Sequence, residues 1–354
     1  MSGKQKVLII GPCPPPYGGV SVHIFRLYNL LKNDFEFDFI DESAVQKKEF
    51  FNIRSLQLLV YIKKMYQCDT LFIHSGKDTL RIFHLIIGRL LAKKIILVLH
   101  GFTSSPPKFI FLIKSFIYRI ASTVIVVNNE IKLRLRLSKK KCIIKDAFIP
   151  PNLNEEPELP NDIHNLLSEK RKEKKVILCS NASSLEKYSN QDLYGLDLCI
   201  EVCRRLYIKK VKFFFVFIVS SIRNNEELYT RSIELIKKYG LTDNFLLIHQ
   251  KLSFIKVMEY SDIIVRATNT DGDSLTVREG LFLRKKVIAS DIVKRPAGVV
   301  LFQNRNMNDL EVKLLRLIST DSELKLLNQG GINDTINSLK KFYGELIRNP
   351  CSIR

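Results

Sequence analysis

Two series of short apolar runs, one before residue 150 and one after residue 175, most constrain how this chain of 354 residues folds. The runs are mostly unalternated, rich in β-branched residues and separated by stretches with helical spacing; examples are Val7 to Ile10, Ile95 to His100 and Phe213 to Val219. Parallel strands that helices cover on both faces have this pattern. The run Phe35 to Ile40 alternates instead, as an edge strand does. The sequence therefore predicts an α/β protein with doubly wound parallel sheets.

A proline-rich segment that starts at Ile149 (IPPNLNEEPELPNDIHN) separates the two series. Proline disfavours helix, and a chain of this length has room for two cores of ordinary domain size. We predict a Rossmann-like domain in residues 1–155, a second one in residues 165–333, and a C-terminal helix in residues 334–354 that packs on the first domain. The two sheets are expected to face each other across a cleft, the usual ligand site of open α/β folds.

The composition limits the location of the chain and its partners. Lys and Arg number 56 against 36 Asp and Glu, and the formal net charge of +20 attracts nucleotide phosphates, anionic lipids and polyanions alike. The seven cysteines lack the spacing of a zinc site, and Cys199 and Cys203 are predicted to share a buried helix face. The first strand follows a short polar lead unlike a signal peptide, and no apolar stretch reaches the roughly 20 residues that span a bilayer. We expect a cytoplasmic protein with reduced thiols.

The first strand runs into a glycine-containing turn, GPCPPPYGG, which places Gly18 and Gly19 before a helix that begins near Val20. Glycine lets a ligand approach the backbone, and the amino end of a helix favours anions. The spacing is that of neither a dinucleotide-binding loop nor a Walker loop. The turn is a candidate phosphate-binding loop, or else a tight turn without a ligand.

Two histidines, His74 and His100, each end a predicted strand. Residues there lie at the carboxyl edge of a wound sheet, where ligands bind. His100 is the stronger candidate because Gly101 frees backbone space beside it. A structural role is the alternative for both.

The stretch from Arg266 to Asp291 (RATNTDGDSLTVREGLFLRKKVIASD) is the most informative part of the chain. Asp271 lies in a polar loop after a strand, and Glu279 lies on a helix predicted from about Leu275 to Leu283. Carboxylates placed in this way accept hydrogen bonds from different hydroxyls of one elongated ligand. Alternatively, Asp273 or Ser274 caps the helix and Glu279 lies on a solvated face. The backbone amides at the start of the helix belong to Gly272, Asp273, Ser274 and Leu275.

This stretch resembles the retaining nucleotide-sugar glycosyltransferases of family 4, which have the two-domain GT-B fold. Their signature is two glutamates separated by seven residues, followed by a helix and a PVIAS strand; this chain has Asp271, Glu279 and VIASD at those places. The GPxPPPxGG turn, the His100-Gly101 strand end and the IPPN linker also resemble a bacterial polysaccharide-biosynthesis branch of that family. The resemblance covers nearly the whole chain.

The resemblance implies a role for each candidate. Glu279 would bind the ribose hydroxyls, and Asp271 with the amides of residues 272–274 would hold the donor sugar and phosphates. His100 would contact the transferred sugar, and Gly18 and Gly19 would lie against the diphosphate. Such enzymes generally need no metal ion or other cofactor, because basic groups and helix amino ends neutralise the leaving diphosphate.

The chain departs from the family at Tyr194, which precedes Gly195 where a lysine is expected. The candidate cations for the diphosphate are therefore Lys187 and Arg266, with Arg278 behind them; alternatively, each of these is only a surface charge. Arg295 belongs to a later loop that either closes over the same site or leaves it as a surface charge.

The resemblance implies a hexosyltransferase that moves a sugar from a nucleotide-sugar to a glycan acceptor, lipid-linked, in the biosynthesis of a surface polysaccharide such as capsule or O-antigen. Retention of the anomeric configuration is implied by the resemblance. Front-face transfer is favoured over a mechanism with a covalent intermediate, because no Asp or Glu pair in the sequence is identifiable as nucleophile and proton donor. The nucleotide, the sugar, the acceptor and the linkage are not determined by the sequence.

The segments KFIFLIKSFIYRI and LRLRLSKKKCIIK combine aromatic, aliphatic and basic residues. They predict peripheral contact with an anionic membrane at the inner face of the cell, or else a core-facing helix and a solvated basic turn. Two other functions stay open, an inactive glycosyltransferase-like subunit and a basic nucleic-acid-binding protein. No zinc-finger, RNP-like or recognition-helix motif supports the latter, so nucleic acid is not the expected partner.

Overall fold

A computed structural model of the chain describes residues 3–14, 19–100, 108–127, 129–135, 137, 141–145, 147–222, 225–250, 252–320 and 330–349. The chain divides into two compact units. Unit 1 comprises Met1–Ile149 with Asn328–Arg354, and unit 2 comprises Pro150–Leu327. Within the described ranges, every helix is too short or too polar to traverse a lipid bilayer.

Parallel strands form the centre of unit 1. The strands are β1 (Lys6–Gly11), β2 (Glu36–Asp41), β3 (Phe51–Asn52), β4 (Thr70–Ile73), β5 (Lys94–Leu99), β6 (Thr123–Val126) and β7 (Cys142–Ile144). Over the described residues they make one seven-stranded sheet in the order β3-β2-β1-β4-β5-β6-β7. Successive side chains of a strand point to opposite faces, so Leu8 and Ile10 enter one apolar cluster while Val7 and Ile9 enter another.

The strands of unit 2 repeat this arrangement. They are β8 (Val176–Ala182), β9 (Lys187–Tyr188), β10 (Gln191–Asp192), β11 (Phe213–Val219), β12 (Phe245–His249), β13 (Ile263–Arg266), β14 (Lys286–Ser290) and β15 (Val299–Phe302). As far as the structure describes the chain, six of them form a parallel sheet in the order β12-β11-β8-β13-β14-β15, and β9 and β10 form a separate antiparallel hairpin.

Helices cover both faces of each sheet. They are α1 (Gly19–Leu31), α2 (Leu58–Gln67), α3 (Asp78–Leu90), α4 (Lys108–Tyr118), α5 (Asn129–Leu135), α6 (Asn161–Lys172), α7 (Leu196–Ile208), α8 (Glu226–Lys238), α9 (Phe254–Tyr260), α10 (Leu275–Phe282), α11 (Met307–Ser319) and α12 (Gly330–Arg348). In unit 1, α1 and α12 cover one face through residues such as Leu27 and Tyr343, and α2 to α5 cover the other. In unit 2, Leu310 of α11 and Val277 of α10 belong to the clusters on opposite faces.

The strand order of each sheet reverses at one point, where a wound sheet binds its ligands. In unit 1 the reversal lies between β1 and β4, and in unit 2 it lies between β8 and β13. Ligand sites are therefore expected beyond the carboxyl ends of these four strands.

The structure confirms the α/β class and corrects some strand assignments. Over the described residues, β3 pairs with β2 only through Ile40 and Asp41, so the rest of the run Phe35 to Ile40 lies at the edge of the sheet, as predicted. The apolar run from Ile143 to Ile149 also has the pattern that predicts a strand, but the strand ends at Ile144, where its partner β6 also ends. Cys199 and Cys203 are both buried on α7, which confirms their predicted shared face.

All six described cysteines are free and buried. Burial raises the pKa of Cys13 and of Cys179 to about 12. Thiols of this kind are not thiolates at neutral pH and are poor nucleophiles.

Candidate functional site

The Asp271 cluster comprises Arg266, Asp271 and Arg295 and lies at the carboxyl ends of β13 and β14. Arg266 is the last residue of β13, and Arg295 lies in the segment between β14 and β15. Arg266 donates hydrogen bonds of 3.1 and 3.2 Å to the Asp271 carboxylate, and Arg295 Nη1 donates one of 2.8 Å. The side chains of Arg266, Asp271 and Arg295 are 11%, 9% and 2% exposed. Two guanidinium charges are thus buried around one carboxylate.

Protein donors occupy both oxygens of Asp271 in this structure. Besides the arginines, Thr268 Oγ1 donates to Oδ2 at 3.2 Å and the Gly272 amide donates to Oδ1 at 3.1 Å. Burial alone would raise the pKa of Asp271, but attraction to Arg266 and Arg295 outweighs burial and holds that pKa below its ordinary value. Asp271 is therefore an ionised anchor for two arginines, a role that the sequence did not reveal.

Further contacts fix the two arginines. Arg266 lies over the Tyr194 ring, with its Cζ 5.1 Å from the ring centroid, and Arg295 Nε donates to the Ser290 carbonyl oxygen at 3.3 Å. Among the described residues, however, buried Arg295 Nη2 has no hydrogen-bond partner. The interpretation of Arg295 as a surface charge is wrong, because its side chain is buried against Asp271.

Helix α10 begins four residues after Asp271. Ser274 is its N-cap and accepts a hydrogen bond of 3.5 Å from the Val277 amide. Asp273 does not cap the helix, because its carboxylate pairs with Arg278 at 2.6 Å. This pairing also engages Arg278, the least favoured of the candidate cations.

Glu279 lies on the buried side of α10 and is 5% exposed. The alternative in which it occupies a solvated face is therefore wrong. A Cβ added to the neighbouring Gly280 would lie 2.9 Å from Val287 Cγ2 and 3.0 Å from Ile264 Cγ1. Because that glycine lets the helix pack directly on β13 and β14, Glu279 is held close to the sheet.

The β9–β10 hairpin lies beside the loop that contains Asp271. Asn269 Nδ2 donates to the Tyr188 carbonyl oxygen and the Asn269 amide donates to the Leu193 carbonyl oxygen, each at 3.1 Å. Lys187 is exposed on this hairpin, in register with Asp192. The hairpin thus brings a solvated lysine to the same edge of the sheet as the Asp271 cluster.

Three histidines form a second cluster, in unit 1. His74 follows β4, His100 follows β5, and His23 lies on α1. His74 Nδ1 and His100 Nε2 are 3.2 Å apart, and the His23 ring centroid is 4.8 Å from that of His100 and 5.2 Å from that of His74. Nothing in the sequence singled out His23. It is one polar residue on a helix that was recognised by its apolar residues.

The histidines of this cluster are neutral at physiological pH. Burial lowers the pKa of His23 to about 4, and burial with repulsion from His23 holds the pKa of both His74 and His100 well below the ordinary value. The Ala147 carbonyl oxygen is 2.7 Å from His23 Nδ1, so this nitrogen donates and Nε2 keeps its lone pair. Ring nitrogens of the three residues lie within 4.8 Å of one another, and neutral imidazoles in such a group have the chemistry to hold a metal ion.

Comparisons with known proteins bear on this arrangement. No protein-family model matches the chain. A protein of Methanocaldococcus jannaschii, described as an uncharacterized glycosyltransferase, is 23% identical over 365 residues, which is 92% of this chain and 92% of the relative.

Solved structures of glycosyltransferases are similar over nearly all of the chain. A glycosyltransferase from Rickettsia africae has a TM-score of 0.68 at 16% identity and covers 98% of this chain and 99% of its own. HepE of Anabaena in complex with UDP-glucose has a TM-score of 0.64 at 12% identity, over 97% and 95%. Sucrose-phosphate synthase from Thermosynechococcus elongatus has a TM-score of 0.61 at 13% identity, over 98% and 98%. The chain has the GT-B fold.

Within the GT-B fold, the two clusters occupy equivalent places in their own Rossmann-like domains. The Asp271 cluster lies where the strand order of unit 2 reverses, and the histidine cluster lies where that of unit 1 reverses. Both are therefore at the edge of the sheet that binds ligands in open α/β folds.

The glycine turn of this GT-B chain is only partly within view. Gly19 is the first residue of α1, and a Cβ added to it would meet no atom of the described residues within 4 Å. Gly18 and Gly101 lie outside the described residues. The open space beside Gly19 is compatible with a ligand at the amino end of α1.

Proposed function

We propose that the chain is a glycosyltransferase that uses a nucleotide-sugar donor, with the nucleotide bound by unit 2. The observation that carries this proposal is the burial of Glu279 on α10, directly after a capped polar loop at the reversal point of the sheet. A carboxylate at such a place is a suitable acceptor for the two neighbouring hydroxyls of a ribose. The fold supports it, since HepE has the same fold and is bound to UDP-glucose.

The proposal assigns the remaining candidates to the same donor. The amides of Gly272, Asp273, Ser274 and Leu275 face the sugar and phosphates at the start of α10, where the helix dipole favours negative charge. Gly19 lies against the diphosphate, as the resemblance to family 4 implies. Lys187 and Arg266 supply positive charge.

His100 is proposed to contact the transferred sugar. Its pKa, held well below the ordinary value mainly by burial, keeps the imidazole neutral. A neutral imidazole donates or accepts a hydrogen bond without placing a full positive charge beside the sugar. His74, 3.2 Å away, fixes the orientation of the His100 ring.

We propose retention through front-face transfer. The bond between the anomeric carbon and the phosphate oxygen breaks, and the acceptor oxygen bonds to the same face of that carbon. The acceptor proton passes to the leaving diphosphate, whose negative charge is balanced by cationic side chains in place of a metal ion. NMR of the product tests this directly, and an inverted linkage would contradict it.

We further propose a lipid-linked acceptor in polysaccharide biosynthesis and contact of unit 1 with an anionic membrane. Helices α2, α3 and α4 share one layer of unit 1, and their outer sides expose apolar and basic side chains. The exposed apolar residues include Leu59, Tyr66, Ile86, Leu90, Leu112 and Phe116. Exposed Lys63, Arg89 and Arg119 provide attraction to anionic headgroups.

Vesicle sedimentation tests the membrane contact. The wild-type protein is expected to sediment with phosphatidylglycerol vesicles at low salt and to be released at high salt. Replacing Leu59 and Phe116 by Ser should weaken binding at least fivefold, whereas Val312→Ser in unit 2 should not. Equal binding of all variants would rule out this surface.

A ligand screen tests the donor proposal. Thermal unfolding with UDP-, GDP- and ADP-sugars should show a raised Tm for one nucleotide, because a ligand that binds only the folded state stabilises it. The stabilising donor should then be hydrolysed or transferred to a glycan. Binding without either reaction would indicate an inactive subunit, and no binding of any donor would contradict the proposed function.

A further inference from the structure

Arg295 Nη2 is a buried donor that the proposed function leaves unused. The Arg295 side chain is 2% exposed, and Nη2 has no hydrogen-bond partner among the described residues. Buried guanidinium nitrogens are nearly always hydrogen bonded in folded proteins, since an unpaired one is unfavourable. This nitrogen is therefore suited to an acceptor from a ligand.

The surroundings of Arg295 determine the charge of that ligand. Arg266 and Arg295 together outweigh the carboxylate of Asp271 between them, and Asp271 stays ionised. The amino end of α10 adds partial positive charge on the same edge of the sheet. A buried site with net positive charge and planar guanidinium groups favours phosphate oxygens over neutral hydroxyls.

We propose that Arg266 and Arg295 form the diphosphate-binding pair of the donor site, and that Asp271 acts by holding both guanidinium groups in place. The assignment rests on the proposed function, because the anion is taken to be the diphosphate of a nucleotide-sugar. Tyr194, which stands where the family resemblance implies a lysine, contacts Arg266 with its ring. The pair thus supplies the cationic charge that Tyr194 lacks.

The anchoring role of Asp271 differs from the one that the resemblance implies. A sugar-binding carboxylate needs free lone pairs, whereas those of Asp271 receive hydrogen bonds from Arg266, Arg295, Thr268 and Gly272. Loss of this anchor should leave both arginines less well positioned and weaken the binding of every ligand that carries the diphosphate. Loss of a side chain that binds the sugar directly would instead weaken the binding of the nucleotide-sugar alone.

Calorimetric titration of UDP and uridine tests the arginine pair. Arg295→Gln should lower the affinity for UDP 10- to 100-fold, because charge-assisted hydrogen bonds to phosphate are lost. The affinity for uridine, which has no phosphate, should fall less than twofold. Arg295→Lys, which keeps the charge and is the safer variant for folding, should weaken UDP at least fivefold because the planar fork is lost. Arg205→Gln is the control, since Arg205 pairs with Glu201 and Glu311 instead.

Three outcomes are distinguishable. Wild-type affinity for UDP in both Arg295 variants overturns the arginine pair but leaves the proposed function standing. If wild-type protein binds none of UDP, GDP and ADP, the proposed function fails and takes this inference with it. If GDP or ADP binds instead of UDP, that diphosphate and its nucleoside become the probes, and the same fold-changes are expected.

The variant Asp271→Asn distinguishes two roles of Asp271, which either holds the two arginines in place or binds the donor sugar directly. The affinities for UDP and for UDP-glucose should fall together, each at least fivefold, if Asp271 positions the arginines. A fall for UDP-glucose alone would overturn the anchoring role. The far-ultraviolet circular dichroism and Tm of each variant establish that the comparison is made on folded protein.

Discussion

Gly195 approaches Ala267 so closely that a Cβ on Gly195 would lie 2.2 Å from the Ala267 carbonyl oxygen. Gly195 also has φ +71°, a left-handed conformation that favours glycine. The contact joins the start of α7 to the residue after Arg266, and it places the adjacent Tyr194 ring against that arginine. A single glycine therefore sets the spacing of one side of the Asp271 cluster.

The first prediction concerns this glycine. Gly195→Ala should lower the free energy of unfolding by more than about 2 kcal/mol, because backbone atoms must move to admit the methyl group. Urea unfolding measures the change. Gly272→Ala is the matched control, since a Cβ there meets no atom within 4 Å in the part of the chain that the structure describes. A comparable loss in both variants would contradict the explanation.

The second prediction concerns the nucleoside. Glu279→Gln keeps the shape of the side chain but removes its charge, so hydrogen bonds from ribose hydroxyls should weaken and the affinity for UDP and uridine alike should fall about tenfold. Isothermal titration gives both affinities. Glu311→Gln, at another buried acid of unit 2, should leave them unchanged; unaltered uridine binding in Glu279→Gln would remove the ribose assignment.

The third prediction concerns Lys187. Because this lysine is exposed on the β9–β10 hairpin, Lys187→Ala should shift Tm by less than about 1 °C. We expect kcat to fall roughly tenfold, since a positive charge near the leaving diphosphate is lost. Lys237→Ala on α8 is the control, and an unchanged rate in Lys187→Ala would exclude Lys187 from the donor site.

The fourth prediction concerns pH. Burial depresses the pKa of His23 to about 4, below the ordinary value of about 6.5, so the unfolded chain binds protons that the folded protein does not. Stability is therefore complete above about pH 6.5 and falls as the pH drops towards 4, by roughly 3 kcal/mol for this residue alone. The depressed pKa values of His74 and His100 act in the same direction.

Urea unfolding between pH 4.5 and pH 7.5 measures this dependence. His23→Asn, which retains a donor for the Ala147 carbonyl oxygen, should show a shallower loss of stability than the wild type. His164→Asn alters an exposed histidine of unit 2 and should follow the wild-type curve. Identical curves for His23→Asn and wild type would argue against a buried neutral His23.

The fifth prediction concerns metal ions. If arginine and lysine balance the diphosphate charge, treatment with EDTA should leave the transfer rate unchanged within about twofold. Magnesium and manganese should likewise add no more than that. A rate abolished by EDTA and restored by zinc would instead identify the histidine cluster as a metal site.

The fold was predictable because burial of a parallel sheet leaves a repeated mark on the sequence. Strand β11, which has apolar side chains throughout, was located to the residue. The two-residue strand β3 and the β9–β10 hairpin were missed, since such short segments show no period. They are defined by their partners and not by their own residues.

The candidate site was predictable only as far as local order reaches. The loop after β13 and the helix that carries Glu279 follow from one contiguous stretch. The contact between Asp271 and Arg295 joins residues 24 positions apart, and their spacing in the sequence does not predict it. Similarly, the buried contacts of Glu42 with Ser75 and His84 join residues 33 and 42 positions apart, and neither partner was singled out from the sequence.

The cysteines are distributed so that each unit carries buried thiols, and these can report separately how often that unit opens. Among the described residues, Cys13, Cys68 and Cys142 belong to unit 1, while Cys179, Cys199 and Cys203 belong to unit 2. Since a shielded thiol is alkylated only when its surroundings open, mass spectrometry of partly labelled protein would report how often each half opens. Labelling of these six described cysteines would also show whether a bound nucleotide slows the opening of one half or of both.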